Sequence, residues 1–522
     1  MINNPNTYNP QNSGPMPPPP PMRPQGRIQR WFGFDPRLQN MTMDSKLPSW
    51  LQQRAIVVYV LALVLVTGMY STYAMPWYYL LSGVVSVLIF FGYGLSLSKT
   101  FSMTNLRSEK RFEKKIFWVS LLFRTVWVVL IYAIFMTYYG NAFGFENADA
   151  TYYNDLAKFV AGLIDKGNFH FYDEIAKWSR NDDIADMGYG IYAGFVYYLT
   201  DNSIIAVRLL KCIWSSLTVV LLYRLAKRNF GAHVARMAAI FCALWPNFWY
   251  YCGAHLKETE MVFLAVLFVE QGDQMLRSRQ FTVWKIVPVL LIGALIFGFR
   301  TPLALVAILA LVFTIVISSA KVVTWGKRII IGALAVLLIG VTMGNRIEEQ
   351  ARGLIEQVQS DRQKINMEWR GEREHGNVFA KYAGATVFAP MIFTIPFPTM
   401  VRPYEGQDLQ QLLNGGNFVK NIMSFFVLFA LGMLLLTGKW REHLLPLSFM
   451  LGYVVVLVMS EFAQSERFHQ PIMVFELMFA AYGLSIVRNS KRYRRWFMLW
   501  CIVMFIACLA WNWFKLKGRG MI

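Results

Sequence analysis

Charge is scarce in this 522-residue chain, and acid scarcer than base: charged residues make up 16%, with 31 Asp and Glu against 51 Lys and Arg. Cysteine is scarcer still. The five (Cys212, Cys242, Cys252, Cys501 and Cys508) lie in or beside apolar runs, and no CxxC pair occurs. That excludes a disulfide framework and a cysteine zinc site. Histidine numbers six, with no HxxxH or HxH spacing, so His255 stands without a partner ligand and no metal site is predicted; a divalent cofactor is left open. The first fifty residues contain no apolar core of the kind a cleavable signal needs.

What is abundant is hydrophobic residue, at 56%, with aromatics at 16%. A helix that crosses a bilayer needs about 20 mostly apolar residues. Windows such as IVVYVLALVLVTGMY and LALVAILALVFTIVISSA carry no charge at all. A soluble helix would keep a polar face. The pattern predicts an all-α polytopic membrane protein with about 11–13 transmembrane helices. Spans are expected near 55–74, 76–97, 116–138, 203–225, 233–251, 256–273, 281–299, 302–319, 327–344, 417–437, 443–461, 470–488 and 496–514.

The net charge of +20 would suggest nucleic acid in a soluble chain. Here the Lys and Arg cluster in the short gaps between apolar runs, which is the positive-inside pattern, and nucleic acid is not expected. Arg23, Arg27, Arg30, Arg37, Lys46 and Arg54 place the N-terminus in the cytoplasm, and Lys99 to Lys115 form the next inside loop. With thirteen spans the basic C-terminal tail (Lys515, Lys517, Arg519) falls outside, against the same rule.

Residues 1–53 read as a disordered cytoplasmic tail around PMPPPPPMRPQGR; a proline run favours extended polyproline helix and cannot pack a core. A docking site for a proline-reading partner is the alternative. Residues 54–522 then form the membrane domain. Its two long loops, about 139–202 and 345–416, are both expected outside, and loops of that length are usually functional.

Four stretches place chemistry at the outer edge. In NADATYYNDLAKFV, Asp149 opens a predicted helix. There it either caps free amides or serves as a general base near a lipid headgroup; Asp155 is the second candidate. In SIIAVRLLKC, Arg208 and Lys211 share a helix face and either snorkel to water or hold a lipid phosphate. In WPNFWYYCGAHLKETEMVFL, Lys257 and Glu258 head a new span, as an ion pair or as site residues. In SERFHQPIMVFELMFAAYGL, Arg467 and His469 precede Pro471, as interfacial anchors or phosphate ligands. Arg124 and Glu476 are charges inside predicted spans, and such charges are functional candidates by default.

Taken together these stretches resemble the GT-C glycosyltransferases, of the protein-mannosyltransferase-like group (glycosyltransferase family 39) that includes the aminoarabinose transferases. The resemblance rests on DATYYNDLA (Asp149, Tyr152, Tyr153, Ala157), VRLLKC with YRLAKRNFG, the WPNFWYYCGAHLKETE corner and SERFHQP. Two spans before residue 97 and the loop at 345–416 match nothing in the pattern. The resemblance implies a GT-C-type bundle that transfers a sugar, with inversion, from a polyprenyl-phosphate donor in the membrane lipid to an acceptor outside the cell membrane. The acceptor, whether protein, lipid or glycan, is left open. It implies Asp149 as the base, and Arg467, Lys257, Arg208 and His469 as donor-phosphate ligands. Glu258 would orient Lys257 or the acceptor, with Tyr152 and Tyr153 in support. An O-antigen-type polymerase or ligase would lack the early D-x-x-Y-Y loop. A flippase or transporter would show two related halves, and none is visible.

Overall fold

A computed structural model describes residues 45–70, 77–143, 148–179, 187–278, 283–318, 326, 392–394, 410–459 and 466–518. The expected span at 327–344, nearly all of the loop at 345–416 and the tail up to residue 44 lie outside the described residues. Within them every regular element is helical, as the unbroken apolar runs require: in lipid a backbone must satisfy its own amides.

The bundle opens with α1 (Ser49–Met69), which starts ahead of the expected boundary at 54 and buries Leu51. The second span is composite: α2 (Trp77–Val87) passes through a π-helical turn, Leu88–Tyr93, into α3 (Gly94–Thr100). Next comes α4 (Glu109–Tyr139), capped by Ser108, whose Oγ accepts from the Arg111 amide. The first long loop is mostly helix as well: α5 (Ala148–Asp165), α6 (Phe171–Ser179) and α7 (Met187–Thr200). The chain continues through α8 (Ile204–Phe230), α9 (Ala232–Ala243), α10 (Pro246–Gly253), α11 (Glu258–Arg277), α12 (Ile286–Phe299) and α13 (Thr301–Ile317). After the long undescribed stretch come α14 (Gln410–Thr437), α15 (Leu444–Met459), α16 (Glu466–Val487) and α17 (Lys491–Gly518).

Seven described helices are long and apolar enough to cross a membrane, and four more of 10–17 residues are apolar but short. The span expected at 233–251 is two helices, α9 and α10. Proline cannot continue α9, but its fixed φ suits a first helical turn, and Pro246 opens α10. Leu61, Val64, Leu122, Val126, Leu499 and Ile506 are exposed on α1, α4 and α17, an apolar belt of the kind that lipid covers. The inner helix is α16, buried along its length.

The two ends of the bundle differ. At one end Arg228 pairs with Glu270 (2.7 Å) and Asp273 (2.9 Å). Arg277 joins Asp273 (2.8 Å) and donates to Asn229 Oδ1 and the Glu442 carbonyl. His443 reaches the same Asn229 Oδ1 at 3.0 Å and stacks on Phe230. Burial lowers the His443 pKa to about 4, and Arg277 adds to the effect. The opposite end carries α5, α6 and α7. The last helix also finishes there: Cys508 and Leu516 pack with Val66 and Tyr70, whereas its start packs Phe497 on Trp50.

One intramembrane charge has a structural task. Arg124 of α4 is fully buried. It donates to Ser215 Oγ (2.6 Å), to Ser120 and to the carbonyls of Cys242 (3.2 Å) and Ala243 (3.1 Å). Those carbonyls are among the last four of α9, which have no donor inside their own helix. The guanidinium supplies one and sits at the negative end of the helix dipole.

Candidate active site

Three helices begin at the same place. Asp149 lies in the first turn of α5, Glu258 opens α11 and Arg467 is the second residue of α16. Arg467 Nη1 donates to Asp149 Oδ2, and its Nε donates to Glu258 Oε1. The group is graded in depth. The Glu258 side chain is 1% exposed, that of Arg467 24% and that of Asp149 58%. A guanidinium thus bridges a carboxylate in the bundle to one facing solvent.

The electrostatics favour an anion. Each helix start presents free amides and the positive end of a dipole. A cation in the first turn of α16 is disfavoured unless negative charge surrounds it, and Asp149 and Glu258 supply that charge. Pro471 sits inside α16, which starts about one turn earlier than the 470 expected from the sequence. It has no N–H to give the carbonyl of Arg467, so this first turn is less tightly held than the rest.

Tyr153 backs the group. Its hydroxyl feels Glu258, Arg467 and Asp149 together, and burial raises its pKa. Tyr152 meets it edge-on at 5.5 Å, and burial raises its pKa as well. Lys257 lies 6.0 Å from the Tyr153 ring, but its Nζ donates to the Phe299 carbonyl at 2.9 Å. It closes the C-terminus of α12, while Glu258 accepts from Arg467. Neighbouring positions on a helix point about 100° apart, so one residue turns to α12 and the next to α16.

Two expected phosphate ligands have other partners. Arg208 is fully buried, donates to the Ala142 carbonyl at 2.6 Å and lies under the Tyr132 ring. His469 is fully buried, with its Nδ1 2.8 Å from Lys420 Nζ. Lys420 belongs to α14 and has Glu466 and Glu476 as its charged neighbours, which gives Glu476 the partner that its position in the sequence did not reveal. Lys211 also turns inward. Its Nζ donates to the carbonyls of Ala254 (2.9 Å) and Leu256 and lies 3.7 Å from Glu260.

His255 lies among aromatic rings, stacked with Tyr197 and edge-on to Tyr189 and Phe143. Burial lowers its pKa well below the usual histidine range, with Lys211 and Arg208 adding to the effect. Among the described residues no three His, Cys, Asp or Glu side chains gather where they could hold a metal ion.

Two residues near the site were not among the site candidates read from the sequence. Arg300, at the turn between α12 and α13, lies 4.1 Å from the ring of Phe468. Lys420 is the other; its signal was a lone lysine inside the apolar run NFVKNIMSFF.

Residues 189–343 match the dolichyl-phosphate-mannose-protein mannosyltransferase family. No curated protein and no solved structure matches the chain. The matched stretch contains Arg208, Lys257 and Glu258; Asp149 and Arg467 lie on either side of it. It bears out the resemblance to GT-C glycosyltransferases and supports a glycosyltransferase of the mannosyltransferase type.

Proposed function

From a membrane glycosyltransferase of that type, we propose an enzyme that moves a sugar from a polyprenyl-phosphate donor to an acceptor hydroxyl, with inversion at the anomeric carbon, on the outer face of the cell membrane. The observation that carries this is the bridge of Arg467 between exposed Asp149 and buried Glu258 where three helices start. The donor phosphate takes up the guanidinium, helped by the amides of the helix starts. Its arrival competes with Asp149 for Arg467 and frees that carboxylate to accept the acceptor's proton. The acceptor oxygen attacks the anomeric carbon, the bond to the phosphate oxygen breaks, and polyprenyl phosphate leaves as an anion. Arg467, still paired with Glu258, stabilises the charge that develops on that oxygen.

Charge supports the choice of face. Lys227, Arg228 and Arg277 mark the other end of the bundle, and the positive-inside rule makes that end cytoplasmic. The N-terminus is then cytoplasmic too. The test is chemical: purified protein in vesicles is given a polyprenyl-phosphate mannose and a mixture of envelope acceptors. Release of polyprenyl phosphate together with acceptor glycosylation supports the reading. A donor that crosses the bilayer unchanged would make the protein a flippase.

A further inference from the structure

A cavity of about 450 Å³ opens between α7, α8, α11 and α12. None of Asp149, Glu258 and Arg467 is among the residues that line it. Its long walls are apolar: Leu264 and Leu267 from α11, Ile292 and Leu295 from α12. Trp214 and Tyr192 also line it and are held together, Trp214 Nε1 donating to the Tyr192 hydroxyl at 2.9 Å. Gly188 and Gly298 bring the backbones of α7 and α12 together beside it. A Cβ built on Gly188 would lie 2.6 Å from the Gly298 carbonyl oxygen.

One group does not belong with such walls. Glu260 lines the cavity and is 3% exposed, and among the described residues neither of its carboxylate oxygens meets hydrogen-bond geometry. Lys211 lies at 3.7 Å, beyond hydrogen-bond distance, and two of its three protons go to carbonyls. The charge of Glu260 is balanced while its capacity to accept is unused, and a buried acceptor left so is costly. From Glu260 to Leu267 the wall runs about 10 Å along the helix, at 1.5 Å per residue.

We infer that this cavity is a second binding site, for a neutral lipid alcohol whose chain lies along Leu264, Leu267 and Ile292 and whose hydroxyl donates to Glu260. The chemistry selects among amphiphiles. A phosphate or carboxylate head would face Glu260 with like charge and, when ionised, brings no proton to donate. An ammonium head would meet Lys211, in a pair already neutral. A hydroxyl supplies the missing donor and adds no charge. The site is thus distinct from one that takes a phosphate-headed donor, and it stands whether or not the donor chemistry above is right.

The experiment uses the full chain in phosphatidylcholine nanodiscs and a diazirine-bearing dodecanol, with the crosslinked peptides identified by mass spectrometry. Label is expected on the segments around 260–267 and 292–299. Unlabelled dodecanol should compete at least about tenfold better than dodecanoate, dodecyl phosphate or dodecylamine, the tenfold corresponding to one good hydrogen bond. Leu264→Trp, which fills the cavity, should abolish the label, and Glu260→Leu should abolish the preference for alcohol. Should Glu260→Leu not fold, the Leu264→Trp labelling and the competition series on the unaltered chain decide alone. Equal competition by all four heads, label elsewhere, or label that persists in folded Leu264→Trp would overturn the inference.

Discussion

Arg467 and Asp149 are 318 positions apart in the chain, and their side chains form a hydrogen-bonded ion pair. The contact ties the first helix of the early loop to the innermost helix of the bundle. It also couples the fate of one residue to the other, so the consequences of substitution can be separated only by choosing which side of the bridge to alter.

Asp149→Asn keeps the side chain's size and its capping capacity but removes the proton acceptor. Expression and thermal stability should stay near those of the parent, because the side chain is more than half exposed and exposed ion pairs contribute little. Transfer should fall about 10²–10⁴-fold, the usual weight of a positioned base, while donor binding persists. Asp155→Asn, at an exposed position that accepts from Asn154, should cost far less. Normal turnover in Asp149→Asn, measured by acceptor glycosylation, would remove it from the mechanism.

Arg467→Ala is a different matter. Taken as an exposed interfacial residue, Arg467 should be dispensable for folding; the structure instead makes it the partner of a buried carboxylate. Leaving Glu258 unpaired costs about 3–5 kcal/mol. The double variant Arg467→Ala/Glu258→Gln should recover most of that in thermal unfolding, yet still fail to use the donor. Arg467→Lys should retain part of the activity, since charge survives and the fork does not. A stable double variant with normal donor KM and turnover would place the phosphate elsewhere.

Topology is open to thiol labelling, because all five native cysteines are buried. Cysteine at Ser179, the last residue of α6, should react with an impermeant maleimide on intact cells. Cysteine at Ser108, the exposed cap of α4, should react only after permeabilisation. The reverse pattern would put Asp149 and Arg467 on the cytoplasmic side and remove the proposed donor from reach.

The far end of the bundle should be acid-sensitive. His443 has a folded pKa of about 4 against about 6.5 unfolded. A depressed histidine favours the native state above the unfolded value, and that contribution is lost as pH falls through the window from about 6.5 to about 4, amounting to about 3 kcal/mol. Arg277, Lys439, Asp273 and Glu442 are its charged neighbours. Thermal unfolding followed from pH 7 to pH 4 should decline more steeply for the parent than for His443→Gln. Parallel curves would show that His443 is not the group responsible.

The membrane spans were legible because a spanning helix must be apolar for its whole length, and a run such as that of α4 has no other stable fold. The break between α9 and α10 was not counted, although Pro246 marks it, because the apolar run continues across the proline. At the site, Asp149, Glu258 and Arg467 could be named as charges that an outer helix start would not hold without purpose. Their mutual pairing could not be read, since it depends on how α5, α11 and α16 converge. His469 shows the limit most plainly. It is two residues from Arg467, but two steps on a helix turn it away, toward Lys420. Which face meets which helix is a property of packing, and local sequence does not contain it.

The burial of Arg124 bears on how the protein is made. A guanidinium at the centre of a lone span costs about 2.5–3.5 kcal/mol to insert. The carbonyls that receive it lie up to 119 residues further along the chain. At about 5–20 residues per second of synthesis, α4 waits on the order of ten seconds with Ser120 of its own preceding turn as the first partner of the guanidinium. During that interval the insertion machinery, a chaperone or water must complete its partners, until Ser215 of α8 and then the carbonyls of α9 take over. The order of synthesis thereby becomes an order of assembly, with the pairing of α4 and α9 as its checkpoint.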